Sequence, residues 1–285
     1  MRNYFEGWYF KNNTGDKTVS FIPAIHADAA GYKTASIQVI SNDFAEMIQY
    51  PAKEFKADRN YMVVSVGNSI FSRRGLKLDI DDKDLKINGS LFYGELTPPL
   101  YDIMGPFAYV PFLQCRHILI SLRHSVDGQL CINGHETKFQ NGVGFIEGDR
   151  GSSFPDRYIW TQCSFENNSL MLSVAAIPFL CIQFTGIIAS VLLNGREYRI
   201  ATYLGARVVS LDYNSVTVAQ GDLKLTAELL SDNGQNLHAP VMGGMTRLIR
   251  ENVSCCVRYL FMKGENVLLD FESDRAGFEY EWTIS

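Results

Sequence analysis

Dipeptides typical of hairpin turns constrain this chain most. Asn-Gly or Asp-Gly pairs occur at 88–89, 127–128, 133–134, 141–142, 194–195 and 233–234. Both residues of such pairs readily adopt the positive φ angles that tight two-residue hairpins require. Apolar and polar residues alternate between them, as at 34–41, where Ala35, Ile37 and Val39 are separated by Ser36 and Gln38. Period-two alternation joined by short turns predicts antiparallel sheet.

Helical periodicity is weak throughout the sequence. Short helical turns are expected at 41–48 and 245–252, although the second segment fits irregular structure before a strand equally well. Many short strands favour a closed barrel or a sandwich, because closure removes unpaired edges. For 285 residues we predict an all-β protein with two antiparallel barrel-like or sandwich-like halves and few short helices.

The boundary between the halves is predicted near residue 140, giving an N-terminal domain over 1–140 and a C-terminal domain over 141–285. An alternative boundary lies in 93–115, whose prolines at 98, 99, 106 and 111 exclude central-strand pairing. The uncharged segment 167–195 is long enough to span a bilayer. Pro178 and several polar residues interrupt it, so we predict two buried strands and a hairpin at Asn194-Gly195 instead. Peripheral contact with a membrane stays open.

Composition limits the classes of partner. The net charge is −5 and no Lys/Arg cluster occurs, so we expect no nucleic-acid partner. Six cysteines lack the paired spacing of zinc sites, and no His-x-His or His-Glu-x-x-His pattern is present, so no metal is predicted. The N-terminus shows no apolar signal region, and we predict a cytoplasmic protein with reduced thiols. The sequence does not indicate an oligomeric state.

Acids, arginines and aromatics concentrate in 144–165. Glu147 and Asp149 share one face if this segment is a strand, and two close carboxylates hold their protons at different pH values. One of them is therefore a candidate general acid. The alternative is that Arg150 and Arg157 pair with these acids and only fix a loop.

Further candidates follow from the same strand periodicity. Trp160 and Gln162 share a face, and together they offer a ring wall and a neutral hydrogen-bonding group for an apolar pocket. Near the N-terminus, Glu6 shares a face with Trp8, and Tyr9 lies on the opposite face. Glu6 is either a second candidate acid in an apolar cavity or a solvent-facing residue of an edge strand.

His117 lies opposite the aliphatic face formed by Ile118 and Ile120. It is either a structural histidine or a group facing a cavity.

Several segments together resemble the tocopherol cyclase family. They occur in family order over nearly the whole chain: FEGWYFK (5–11), MGPF (104–107), QCRH (114–117), GVGFIEGDRGSSFPDRYIWTQCSF (142–165), FTGIIA (184–189) and APVMGGMTRLIREN (239–252). The family is similar in architecture to carotenoid 1,2-hydratases and lipocalin-like Diels-Alderases. The resemblance therefore implies two lipocalin-like β-barrels and a bulky apolar substrate.

The resemblance also implies a reaction. Family members protonate a prenyl double bond, and a phenolic oxygen then attacks the tertiary cation, with no metal or redox cofactor. Carried over, it makes Glu147 or Asp149 the acid, with Glu6 the alternative. Trp8, Tyr9 and Trp160 are then expected to shelter the cation, and Gln162 or His117 to hold the phenolic oxygen.

The central motif departs from the family pattern, because Gly148 and Arg150 stand where relatives usually carry Lys and Trp. The later Gln-x-Asn is Gln162-Cys163-Ser164 in this chain. These changes concern the pocket, so they bear on the substrate more than on the fold.

Two hypotheses of different classes result. The first is a cyclase-like enzyme, an isomerase of the intramolecular-lyase type, that acts by acid catalysis on a prenylated aromatic or another isoprenoid or polyene. The second is a lipocalin-like carrier that binds an apolar molecule without turnover. A hydratase or pericyclase using the same cavity is a weaker third. A buried carboxyl that faces an apolar cavity and is not neutralised by arginine supports an enzyme.

Overall fold

A computed structural model describes residues 3–111, 113–179, 182–232 and 234–282. These residues form an all-β protein, as predicted, with two large antiparallel sheets. Within the described ranges the helices are short 3₁₀ turns, at Ala52–Glu54, Gly105–Tyr109 and Thr202–Leu204. The five cysteines that the structure describes are free thiols.

The first sheet contains eleven strands and is nearly closed into a barrel. Its strands are β1 (Tyr4–Thr14), β2 (Lys17–Ala27), β3 (Lys33–Ser41), β4 (Ala45–Pro51), β5 (Phe55–Asp58), β6 (Val63–Val66), β7 (Ser69–Ser72), β8 (Gly75–Asp81), β9 (Lys86–Tyr93), β10 (Cys115–Ile132) and β11 (His135–Gly151). Their order across the sheet is β4-β3-β2-β1-β11-β10-β9-β8-β7-β6-β5. Strands β2 and β3 also contact β6, which brings the two ends of the sheet together.

The second sheet contains ten strands. They are β12 (Tyr158–Phe165), β13 (Asn168–Phe179), β14 (Ile182–Leu193), β15 (Arg196–Ala201), β16 (Arg207–Asp212), β17 (Ser215–Gln220), β18 (Leu223–Ser231), β19 (Gln235–Val241), β20 (Gly244–Lys263) and β21 (Asn266–Tyr280). Their order is β15-β14-β13-β12-β21-β20-β18-β17-β16, and β19 pairs with β20. The architecture is lipocalin-like, as the resemblance implies.

Apolar side chains pack in three layers. One core fills the interior of the first sheet and includes Trp8, Phe10 and Phe71. A second core fills the interior of the second sheet and includes Tyr259 and Phe261. The third layer lies between the two sheets and contains Tyr9 and Trp160 among other residues. Each sheet therefore uses both faces, with its own core on one side and its partner sheet on the other.

The hairpin predictions are confirmed at 133–134 and 194–195. There Asn133 and Asn194 adopt φ angles of 49° and 50° and connect β10 to β11 and β14 to β15. The pairs at 88–89, 127–128 and 141–142 lie inside strands, so those three turns were wrong. The pair at 233–234 includes a residue outside the described ranges.

Close packing of β9 against β10 explains two of these exceptions. Gly89 and Gly128 have φ angles of 135° and 131°. A Cβ at either position would lie 2.3 Å from a carbonyl oxygen of the facing strand, that of Gln129 or of Ser90. These glycines therefore permit a close approach of two backbones rather than a turn.

The helical turns expected at 41–48 and 245–252 are also wrong. Residues 45–48, half of the first segment, belong to β4, and the second segment lies within β20. Pairing with β3 and β19 stabilises these segments as strands, so tertiary context overrides their local pattern.

The strand assignments divide the chain in 152–157, between β11 and β12. The predicted boundary near 140 falls inside β11, and 93–115 joins two adjacent strands of the first sheet. The uncharged segment 167–195 forms β13 and β14, as predicted. In the part of the chain that the structure describes, no helix is long and apolar enough to cross a membrane.

Candidate functional site

Two acids and a histidine form a cluster on the first sheet, in which Glu147 and His117 are buried and Asp149 is partly exposed. Pairing of β10 with β11 places His117 opposite Asp149 and Leu119 opposite Glu147. The imidazole consequently lies between the two carboxylates. Its Nδ1 is 3.1 Å from Oδ1 of Asp149, and its Nε2 is 3.1 Å from Oε2 of Glu147. Only the Asp149 contact has hydrogen-bond geometry, whereas the Glu147 contact is an ion pair with poor alignment of the N–H.

The second sheet completes the cluster with Trp160. Its indole Nε1 donates a hydrogen bond of 3.3 Å to Oε2 of Glu147. The Trp160 ring meets the ring of Tyr9 edge-on, with centroids 5.6 Å apart. The hydroxyl of Tyr9 accepts a hydrogen bond from Ser20 at 3.1 Å. Glu147 therefore lies beside two aromatic rings, one from each sheet.

Burial and mutual charge control the protonation of this cluster. Burial raises the pKa of Glu147, and His117 and the Trp160 hydrogen bond offset only part of that increase. For His117, burial acts to lower the pKa, but the charges of Asp149 and then Glu147 outweigh it and hold the pKa well above its ordinary value. The cluster therefore retains a proton near neutral pH, shared among interacting groups.

Cys115 contacts the outer end of the cluster. Its Sγ donates a hydrogen bond of 3.3 Å to Oδ1 of Asp149. Burial, and then the charge of Asp149, raise the pKa of this thiol well above its ordinary value. Cys115 is thus a neutral hydrogen-bond donor here and not an activated nucleophile.

The two arginines of 144–165 do not neutralise the acids. Among the ion pairs of the described residues, those of Glu147 and Asp149 are both with His117. Arg157 instead donates a hydrogen bond of 2.7 Å to Gln183 and lies over the ring of Trp282. The arrangement in which arginines occupy these acids is therefore absent.

Strand β1 separates the other predicted site residues onto two faces. Tyr9 faces the second sheet, whereas Trp8 packs in the core of the first sheet and stacks on Phe55. Glu6 is on the same face as Trp8, where it forms an ion pair with Arg59 and accepts a hydrogen bond of 2.9 Å from Tyr4. The predicted sharing of a face by Glu6 and Trp8 is confirmed, and this is the face of β1 opposite to the one that borders the cluster.

Gln162 lies deeper between the sheets than Trp160. It is fully buried, and its amide Nε2 donates to the hydroxyl of Ser164 at 2.9 Å. Ser164 in turn contacts Ser169 and the carbonyl of Leu122. The structure thus brings together Glu147, Asp149, His117, Tyr9 and Trp160, and places Glu6, Trp8 and Gln162 elsewhere.

A cavity of about 180 Å³ between the sheets adjoins the cluster. An apolar cavity of ~150 Å³ already admits a benzene ring, so this one has room for an aromatic ring. Small residues contribute to its lining from both sheets, with Gly7 and Ala24 paired on one sheet and Ala175 and Gly186 paired on the other. Its remaining lining is mostly aliphatic and aromatic.

The segment that follows β9 borders this cavity through Met104 and Phe107. Arg199 of the second sheet anchors it, because the guanidinium binds the backbone oxygens of Tyr101 and Asp102 at 3.2 and 3.3 Å. The same guanidinium is held by Glu197 at 2.6 Å. The segment thus packs against the second sheet although it joins strands of the first.

Sequence reasoning missed several polar residues of the lining. They are the hydrogen-bonded pair Tyr158 and Glu279, and the histidines His26 and His238. The Tyr158 hydroxyl donates a hydrogen bond of 2.5 Å to Glu279 Oε2. Strand alternation places Tyr158 on the same face as Trp160, so the sequence alone could have identified Tyr158 as a lining residue. Glu279 lies beside Trp160 because β12 pairs with the last strand, β21. No local sequence pattern predicts this pairing.

Over the residues with a described position, no group of three or more His, Cys, Asp or Glu side chains is arranged to hold a metal ion.

Comparisons with known proteins identify the fold. No family model and no curated protein sequence matches the chain. Kievitone hydratase from Nectria haematococca has a similar structure, with a TM-score of 0.56 and 10% identity over 98% of this chain and 89% of that one. A candidate AttH protein from Nitrosomonas europaea has a TM-score of 0.51 and 12% identity over 99% and 92% of the two chains. At such identity the likeness shows the fold, and it does not show membership of the tocopherol cyclase family.

Proposed function

We propose that this protein is an enzyme that protonates a carbon–carbon double bond of an apolar substrate in the cavity between the two sheets. One observation carries the proposal: Glu147 is buried beside an apolar cavity, and its ion-pair partner among the described residues is His117 rather than an arginine. A dry site with a retained proton is the requirement for protonating an alkene.

The cluster supplies the proton through Glu147. This carboxyl lies beside Trp160 and Tyr9, whose π-faces stabilise a carbocation. The proton adds to one alkene carbon, the other becomes a tertiary cation, and Glu147 is left as a carboxylate. His117, which Asp149 holds in place, contacts Glu147 and stabilises the carboxylate until a proton returns to it.

An oxygen nucleophile then captures the cation. We favour an internal hydroxyl, such as the phenol of a prenylated aromatic, which gives a cyclic ether without change in mass. The oxygen loses its proton to the carboxylate of Glu147, so the reaction consumes no other reagent. The sequence resemblance to tocopherol cyclases supports this choice. Capture by water gives hydration, and the fold shared with kievitone hydratase supports that second outcome.

Incubation with geranylgeranyl hydroquinone tests the reaction. We expect an isomeric chromanol from the wild-type protein, separated from the hydroquinone by liquid chromatography and identified by NMR. Glu147→Gln keeps the shape of the side chain and removes its proton donor, so we expect turnover to fall about 100-fold or more. Glu136→Gln changes an exposed acid on the same strand and is the matched control.

The outcome separates the two hypotheses of the sequence analysis. Tight binding of the hydroquinone without chromanol or hydrated product would support a carrier. Full activity of Glu147→Gln would remove Glu147 from the mechanism, and Asp149→Asn, which changes the other carboxyl of the cluster, is the next variant to measure in that case.

A further inference from the structure

A second polar group lines the cavity away from the acid cluster. His26 lies on β2, opposite Phe5 of β1. Asp149 lies on the other side of β1, opposite Gly7. Two strand spacings and a shift of two residues separate His26 from Asp149, which corresponds to roughly 12 Å between their Cα atoms.

The imidazole of His26 has an unused hydrogen-bonding atom. Its Nε2 lies 2.9 Å from the hydroxyl oxygen of Ser36, whereas its buried Nδ1 has no partner in the protein. Only 3% of the residue is exposed. A buried polar atom without a partner costs free energy, so Nδ1 is suited to a ligand atom. Burial lowers the pKa of His26 to about 4, and the ring is therefore neutral at physiological pH.

A second histidine reinforces this end of the cavity. His238 of β19 also lines it, and its buried Nδ1 has no protein partner either. Gln38 fixes the position of His238, because the Gln38 amide binds both the backbone N–H and the backbone carbonyl at 3.0 Å. Two imidazole nitrogens are thus available in a lining that is otherwise largely apolar.

The charges of the lining restrict what these nitrogens can bind. Among the described residues the lining contains Glu147, Asp149 and Glu279 but no Lys or Arg, and its His117 is already held between two of these acids. A carboxylate or phosphate on the ligand would meet acids and a neutral imidazole in a low-dielectric cavity, which is unfavourable. An uncharged hydroxyl or carbonyl oxygen satisfies the imidazole at no such cost.

The residues between the acid cluster and His26 indicate which part of the substrate lies between its alkene and its bound oxygen. Gly7 and Ala24 lie between the cluster and His26 on the first sheet, and a Cβ at Gly7 would lie 3.2 Å from the Cβ of Ala24. Ala175 and Gly186 face them from the second sheet. Such small residues leave a flat slot that suits a planar ring.

We propose that His26, assisted by His238, binds an uncharged oxygen at the far side of the substrate ring from the alkene that Glu147 protonates. This assignment rests on the proposed function and specifies its substrate class. The substrate is a ring with a neutral hydroxyl or carbonyl distal to its unsaturated chain, and substrates ending in a carboxylate or phosphate are rejected.

Three ligands test this assignment by equilibrium binding to the inactive Glu147→Gln protein. They are 2-geranylgeranyl hydroquinone, the phenol that lacks only the distal hydroxyl, and an analogue with a carboxylate in place of that hydroxyl. We expect the hydroquinone to bind about tenfold more tightly than the phenol, which corresponds to one net hydrogen bond, and the carboxylate to bind most weakly. Adding His26→Leu should make the affinities for the hydroquinone and the phenol equal. Adding His135→Leu, at an exposed position of β11, should leave the difference in affinity unchanged.

Equal binding of the three ligands, including no binding of any, would overturn the assignment, as would a full hydroxyl preference in the His26→Leu protein. If that variant does not fold, ¹⁵N NMR of the histidines replaces it. The His26 Nδ1 resonance should shift with the hydroquinone and not with the phenol, and an unchanged resonance contradicts the proposal. The binding and turnover measurements distinguish the two claims. If the Glu147→Gln protein prefers the ligand with the distal hydroxyl but the wild-type protein forms no product, the His26 site is supported and the proposed reaction is refuted.

Discussion

His117 gives the acid cluster its character, and the sequence predicted only half of its role. Alternation with Ile118 and Ile120 correctly placed the imidazole on the face opposite the aliphatic core. The sequence could not show that pairing of β10 and β11 sets this imidazole between Glu147 and Asp149. For that reason the sequence leaves Arg150 and Arg157 as alternative partners for the acids.

Asp149 is expected to set the alkaline limit of activity. It is the main charge that raises the pKa of His117 against the effect of burial. Asp149→Asn should therefore lower that pKa, and the basic limb of the kcat profile should move to lower pH. Rates measured between pH 5 and 10 provide the test. An unchanged basic limb would show that the protonation of His117 does not control turnover.

His124 provides a prediction about stability, independent of the site. Burial, and then the charge of Arg123, lower its pKa in the folded protein to about 3, whereas an unfolded histidine titrates near 6.5. Above about pH 6.5 both states are neutral and this histidine adds no pH dependence. Below it the unfolded state binds a proton that the folded state does not bind, so stability falls by on the order of 1 kcal/mol per pH unit.

Urea unfolding at pH 7.5 and pH 5 measures this effect. We expect His124→Gln to lose less stability than the wild type over that interval. The wild-type loss should persist in His135→Gln, which alters an exposed histidine. Equal losses in all three proteins would mean that His124 is protonated in the folded state.

At the scale of the element, β11 is the strand that joins the site to the fold. Phe145, Glu147 and Asp149 face the second sheet, whereas Ile146 packs in the core of the first. Period-two alternation predicted this division correctly. The same alternation on β1 predicted the two faces but not which face borders the cavity, because both faces of a sheet between two cores are buried.

Gly148 of β11 allows close packing against β1. A Cβ at this position would lie 2.8 Å from the carbonyl oxygen of Gly7 and 3.1 Å from Cδ1 of Trp8. Because the nearest atom belongs to the backbone, Gly148→Ala should separate the strands and lower the free energy of unfolding by about 1–3 kcal/mol. Chemical denaturation measures the change. Gly244→Ala, whose Cβ makes only ordinary contacts, is the control, and an equal effect of both substitutions would contradict this role of Gly148.

At the scale of the whole molecule, the cavity lies between two sheets rather than inside either barrel-like half. The interiors of both sheets are filled by their own cores, with Phe10 and Phe71 in the first and Tyr259 and Phe261 in the second. The sequence predicted all-β halves because turn residues and alternation are local signals. Docking of the sheets depends on contacts between residues far apart in the chain, such as Gln38 with His238 and Arg199 with Asp102.

The same reason explains the mixed result for the site. Glu147, Asp149 and Trp160 come from one distinctive segment. Tyr9 and His117 come from β1 and β10, which both pair with β11. Glu279, His26 and His238 lie on other strands, and no local motif marks them. Gln162 shares the face of Trp160, but its position deeper between the sheets was not readable from periodicity.

Proton transfer to carbon is the central claim, and turnover in D₂O measures it most directly. The wild-type protein, given geranylgeranyl hydroquinone, should form a chromanol with one deuterium on a ring carbon that does not exchange, and a hydrated product should carry the same label. Glu147→Gln should yield almost none, whereas Glu136→Gln should match the wild type. A product without carbon-bound deuterium, or quantitative recovery of bound hydroquinone, would contradict the account.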